Sequence, residues 1–101
     1  MDAQLDAVYS HSEDVVAREI EGEFIIVPLA AGIGDMEDEL YSLNASGVAI
    51  WKRLDGKLSL KKISADLAGE YAAPLVEIEK DVLGLVSELL SRKMLIEVIP
   101  V

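Results

Sequence analysis

Cysteine is absent from the 101 residues, and histidine, tryptophan and phenylalanine occur once each. Without thiols there is no disulfide, no thiolate zinc site and no cysteine nucleophile. The lone histidine, His11, supplies neither a histidine metal cluster nor a Ser-His-Asp arrangement. The sequence therefore reads as a protein that is not an enzyme and holds no metal or cofactor. Lys and Arg are scarce too: nine against 19 Asp and Glu, a net charge of −10. That balance argues against a nucleic-acid binder, whose affinity rests on cations that neutralise phosphates. No apolar run approaches the ~18 residues of a membrane span. The acidic start MDAQLDAVYS lacks the basic-then-apolar order of a secretory signal. The expected setting is the cytoplasm, with no membrane contact.

Apolar residues, at 51%, are abundant enough for one compact domain whose core must supply the stability. A chain of this size buries about 60–70% of its unfolded surface. The charge is divided along the chain. Residues 1–43 hold eleven acidic groups and only Arg18, a balance of −10, whereas residues 44–101 hold eight of each sign. Five of the nine basic residues, Lys52, Arg53, Lys57, Lys61 and Lys62, fall within eleven positions. They form a basic patch on an acidic protein.

Hydrophobic periodicity changes where the charge does. Val15 to Ile20 and Glu23 to Val27 are β-branched or aromatic runs separated by Glu21-Gly22, which predicts a hairpin. Pro28 ends the second strand because it lacks an amide hydrogen for the ladder. Leu29 to Asp38 reads as a loop, and Glu39 to Leu43 as a third strand with Leu40 and Ser42 on one face, Tyr41 and Leu43 on the other.

From Asn44 the period is helical. Asn44 caps a helix carrying Val48, Ile50, Trp51 and Leu54, which ends at Asp55-Gly56, with Gly56 in the left-handed position. Ser59 caps a second helix, whose buried face is expected to hold Leu60, Ile63, Leu67 and Tyr71, with Leu58 and Ile63 spaced as a staple. Pro74 suits the first turn of a third helix, in which Leu75, Ile78, Val82, Leu85, Val86, Leu89 and Leu90 recur at helical spacing to about Arg92. Leu95 to Ile99 suits a short terminal strand or an extended packed segment. The order predicts an α+β fold: a winged helix-turn-helix with a three-stranded antiparallel sheet followed by a three-helix bundle.

Tyr41-Ser42-Leu43-Asn44-Ala45-Ser46-Gly47-Val48-Ala49-Ile50-Trp51-Lys52-Arg53-Leu54-Asp55-Gly56 resembles the signature of the PqqD family, roughly Y-x-L-N-x-x-G-x-x-I-W-x-x-L-D-G. The resemblance extends from Asp14-Val15-Val16 and Arg18 to Ile63, Leu67 and Tyr71, and to the Asp81-Val82, Leu85-Val86 and Leu89 pattern. It covers residues 14–101, leaving 1–13 as an expected flexible N-terminal segment. It implies a winged-helix module that binds the leader of a ribosomally made precursor peptide and presents it to a modifying enzyme, commonly a radical SAM protein, without itself doing chemistry. In that family the leader adds as a strand to the third strand and lies against the third helix. The implied groove is Glu39, Leu40, Tyr41, Ser42 and Leu43 on one side and Ile78, Asp81, Val82 and Leu85 on the other. An edge strand beside a helix suits this role, because its free N–H and C=O groups template a further strand. The stretch from Pro28 to Glu39 is longer than the shortest connections of the family, and nothing in the residues selects quinone biosynthesis.

Each of these residues also has a plainer reading. One face of a three-stranded sheet must pack on helices, so at least half of the side chains of Leu40, Tyr41 and Leu43 are expected in the core. Trp51 reads as a core anchor, and Asn44 as a cap rather than a catalytic amide. Asp81 either contacts the leader or sits on the solvated face. The run Asp35, Glu37, Asp38, Glu39 lacks the spacing of a calcium loop; it is a solvated loop, or it steers basic leaders. Gly32-x-Gly34 has no lysine at phosphate-loop spacing. Lys57, Lys61 and Lys62 are either a solubilising surface or a docking site for an acidic enzyme. The alternative function is a winged-helix transcription regulator, disfavoured because Glu77, Glu79, Asp81 and Glu88 on the third helix repel phosphates.

Overall fold

The structure is a computed structural model, and it describes residues 3–29 and 41–99. Among the described residues nine elements follow one another: β1 (Val8–His11), β2 (Val15–Ile20), β3 (Glu23–Pro28), β4 (Tyr41–Leu43), α1 (Ala45–Arg53), β5 (Asp55–Ser59), α2 (Leu60–Tyr71), α3 (Leu75–Ser91) and β6 (Leu95–Val98). Two antiparallel three-stranded sheets result, in the orders β2-β3-β4 and β5-β1-β6.

The first sheet is the expected meander. Ile20 pairs with Glu23, so Glu21 and Gly22 alone make the turn, and both have positive φ (50° and 83°). Those are the dihedrals that match a tight hairpin to the twist of its strands. Phe24 opposes Leu43 and Ile26 opposes Tyr41, so these four side chains share the face turned to the helices. Ile26 and Leu43 are buried, while Ser42, on the other face, is exposed. The expected strand residues Glu39 and Leu40, and the loop from Ala30 to Asp38, lie outside the described residues.

The second sheet corrects the sequence reading in two places. Residues 1–13, expected to be a flexible lead-in, contain β1, the central strand between β5 and β6. Tyr9 is only 2% exposed. The preceding residues are also tied down. The carbonyls of Leu5 and Ala7 accept the amides of Lys61 and Leu60 at 2.9 and 3.1 Å, two donors that the first turn of α2 cannot satisfy within the helix. The second correction is β5, which occupies the turn expected between the first two helices. There Gly56 is left-handed (φ 82°) but lies within β5, and Leu54 caps α1. The amide of Lys57 donates to Asp55 Oδ1 at 2.9 Å, the main reason the carboxyl of Asp55 is held below its ordinary range.

Capping follows the sequence. Asn44 Oδ1 accepts the amide of Gly47 at 2.8 Å, and Ser59 Oγ accepts that of Lys62 at 3.2 Å. Pro74 stands one residue before α3. Tyr71 corrects the expected buried face of α2: it is 51% exposed, whereas Leu60, Ile63 and Leu67 are buried. It falls in the last turn of α2, beyond the part of the helix that the core covers. From α3 come Val82, Val86 and Leu89, all fully buried. The core joins both sheets to all three helices, with Trp51, Leu54 and Met94 among its members.

Both long helices end in a left-handed residue that carries a β-carbon. Lys93 has φ 61°, with its amide on Leu90 O and that of Met94 on Leu89 O. Ala72 has φ 52°, and the amide of Ala73 bonds Ala68 O. Glycine is the favoured residue at such a position, since a β-carbon there costs about 1–2 kcal/mol. Glycine also loosens the unfolded chain by about 0.4–1 kcal/mol. Ala72→Gly is therefore expected to stabilise the protein slightly and to raise Tm by a few degrees in a calorimetric scan. A fall in Tm would contradict the cap.

Candidate peptide-docking cleft

Asn44 positions the site. By capping α1 immediately after β4, it turns the chain so that the first turn of α1 abuts the end of the strand. Tyr41, Ser42 and Leu43 of β4, Asn44, then Ser46, Gly47 and Ile50 of α1 line a cleft of about 450 Å³, closed on its far side by Asp81 and Leu85 of α3. Gly47 makes the approach possible, because a β-carbon there would stand 3.1 Å from Asn44 Oδ1 and 3.2 Å from Leu43 Cδ2. Among the described residues, strand β4 pairs with β3 alone. Its other edge has backbone donors and acceptors with no strand partner among the described residues, which suits the addition of an extended chain.

Of the residues expected from the sequence, Tyr41, Ser42, Leu43, Asp81 and Leu85 come together here. Val82 does not: it is fully buried in the core and is not part of the lining. Ile78 is half-buried against the core and is not part of the lining. Asn44, Ser46, Gly47 and Ile50 were missed as lining residues. The signal was present in the cap itself, since a helix that starts where a strand ends places its first turn beside that strand. Lys57, Lys61 and Lys62 are exposed on β5 and at the start of α2, apart from the lining.

The cleft has an apolar floor of Leu43, Ile50 and Leu85 and polar edges from Ser42, Asn44 and Ser46. On α3, Asp81, Leu85, Glu88 and Arg92 recur at three- and four-residue spacing, so they share one face. Arg92 bonds Glu88 at 3.0 Å and lies 4.8 Å from the centre of the Tyr41 ring. Opposite charges thus meet at the Tyr41 end. Behind the site, the ring of His11 stacks on that of Trp51 with centroids 3.8 Å apart, and His11 Nε2 donates to the Trp51 carbonyl at 2.7 Å. A carbonyl only accepts, which requires the proton on Nε2. Among the described residues, no three His, Cys, Asp or Glu side chains converge as metal ligands, and no helix is long and apolar enough to cross a membrane.

Three helices with small antiparallel sheets, and a strand edge beside a helix that is unpaired among the described residues, make an α+β domain with an edge open to a further strand. Residues 23–95 match the model of the family described as coenzyme PQQ synthesis protein D, PqqD. The chain belongs to the PqqD family. It is 48% identical over 48 residues to a PqqA binding protein from Rhizobium meliloti (strain 1021), a stretch covering 48% of this chain and 49% of that one. The match thus spans about half the length of that relative.

Three solved structures share the fold. A solution structure of the PqqD truncation of Methylobacterium extorquens PqqCD, described as a stand-alone recognition element for ribosomally synthesised and post-translationally modified peptides, has a TM-score of 0.73 at 22% identity; the match covers 93% of this chain and 94% of that one. A lasso peptide synthetase B1 complexed with its leader peptide gives 0.72 at 19% identity, over 87% and 96% of the two chains. TbiB1 in complex with the TbiA(beta) leader peptide gives 0.69 at 23% identity, over 85% and 93%.

Proposed function

We propose that this protein is a non-catalytic, cytoplasmic recognition module that takes the leader of a ribosomally made precursor peptide as an added strand on β4 and presents it to a modifying enzyme, of the radical SAM type. The observation that carries this reading is the edge of β4, unpaired among the described residues, beside an apolar-floored cleft that α1 and α3 complete. Main-chain pairing along the edge gives affinity, and the cleft gives selectivity through alternate side chains. Membership of the PqqD family and the leader-bound relatives of the same fold support it. The contact set is Glu39 to Leu43 with Ile78, Asp81, Val82 and Leu85, extended to Asn44, Ser46, Gly47 and Ile50; Val82 acts from beneath, by holding α3 in place.

The experiment is an amide NMR titration with synthetic leader peptides taken from precursor genes beside its own. Shifts centred on Tyr41 to Gly47 and on Asp81 to Leu85 are expected. Shifts confined to Lys57, Lys61 and Lys62 would sink the reading. The transcription-regulator alternative has little support, because Glu77, Glu79, Asp81 and Glu88 on α3 repel phosphates. The exposed Lys57, Lys61 and Lys62 suit an acidic face of the modifying enzyme. Reversing all three to Glu is expected to slow peptide modification several-fold while leader affinity, measured by calorimetry, stays unchanged. Unchanged modification would reduce the patch to a solubilising surface.

A further inference from the structure

Among the described residues, the cleft is lined by several hydroxyl, amide and apolar groups but by a single carboxylate, Asp81. We infer that Asp81 sets the charge preference of the docked chain, selecting an extended peptide with a Lys or Arg side chain that reaches α3 from the β4 edge. This rests on the docking reading above and deepens it.

Three observations carry the inference. First, Asp81 is exposed at the cleft wall and makes no hydrogen bond or ion pair among the described residues, so its charge faces whatever enters. Second, on the face of α3 that carries Asp81 the cation is already engaged, and the exposed Lys80 stands about 100° round the helix from Asp81. Arg92, on the same face of α3, is held by Glu88 and by the Tyr41 ring at the other end of β4. The start of α1, which would otherwise attract an anion, is closed by Asn44 Oδ1, which accepts the amide of Gly47 and the hydroxyl of Ser46. Third, Asp81 stands one helical turn before Leu85. A side chain long enough to pass over Leu85 lays its methylenes on the apolar floor and its charge at Asp81, the habit of Lys and Arg at the edge of an apolar surface. A short acidic side chain has no such fit and meets like charge.

The full-length protein would be used to select from phage-displayed random dodecapeptides, in parallel with Asp81→Asn and Asp81→Lys. Asp81 is an exposed helix position without internal contacts, so both variants are expected to keep the parent's circular dichroism and Tm. Peptides recovered on the parent protein are expected to show a recurrent Lys or Arg position, lost on Asp81→Asn and replaced by Asp or Glu on Asp81→Lys. For one selected peptide, changing that Lys to Gln should weaken binding to the parent about five-fold, as befits an ion pair of partial exposure, and leave binding to Asp81→Asn unchanged. The loss should shrink in high salt.

Peptides that shift the Tyr41 to Leu43 amides but carry no basic preference would overturn the role of Asp81 and leave docking at β4 intact. So would a basic preference that survives in Asp81→Asn. Selected peptides that bind without shifting those amides would overturn both.

Discussion

Replacing Trp51 with alanine is expected to destabilise the protein by roughly 3–5 kcal/mol, the range for deleting a large aromatic side chain from a packed core. Trp51 is 3% exposed and lies face to face with His11. Its removal leaves a void between α1 and β1, and the His11 ring loses its stacking partner. A domain of this length has roughly 5–15 kcal/mol in total, so the variant is left marginal. Because the protein's only tryptophan is gone, unfolding must be followed by circular dichroism. The urea midpoint should fall by at least about 1 M. Trp51→Phe, which keeps a ring against His11, should lose less than half as much. A loss below about 1 kcal/mol for alanine would show that α1 and β1 are not joined through this pair. The site should suffer in step, since Ile50, next to Trp51, is part of its floor.

Leu85→Glu is expected to weaken leader binding by about ten- to a hundred-fold, with a much smaller effect on stability. Leu85 is half-buried, packs against the core and lines the cleft. A leader side chain covering it gains roughly 1.5–3 kcal/mol from full apolar burial, and each 1.4 kcal/mol is a factor of about ten in affinity. Glutamate removes that gain and asks the leader to desolvate a carboxylate beside Asp81. The control is Val76→Glu, the same kind of change at a residue of α3 that is 65% exposed and outside the lining. Calorimetric titration with the cognate leader should separate the two. Equal losses would point to a general charge effect, and a change below two-fold at Leu85 would move the docking site elsewhere.

How much of this was legible beforehand depends on how local the cause is. The Glu21-Gly22 hairpin, the Asn44 and Ser59 caps and the stripe of α3 from Val82 to Leu89 arise from neighbours within four residues, and the structure has them where the sequence puts them, whereas Leu75, at the start of the expected stripe, is exposed. The central strand β1 was not legible. Val8 to His11 is four residues long, too short for its alternation to stand out from a loop. It exists because β5, β6 and the start of α2 accept its backbone. Strand β5 was hidden for the same reason, because Asp55-Gly56 satisfies a helix end as well as it satisfies a strand.

The same division holds for the site. The order of residues determined that an edge strand runs into a capped helix, that the third helix carries both an apolar stripe and Asp81, and that no thiol or histidine cluster is present for chemistry. Periodicity gave Ile78, Val82 and Leu85 to the same third helix but not to the same side of a wall. Only tertiary packing decided that Val82 faces the core, that Leu85 and Asp81 face β4, and that Ser46, Gly47 and Ile50 complete the lining. The physical reason is that a helical pattern fixes relative angles around one axis, whereas the direction of that axis is set by what the helix packs against. For this protein that direction comes from a core shared by two sheets, one of them built from segments distant in sequence.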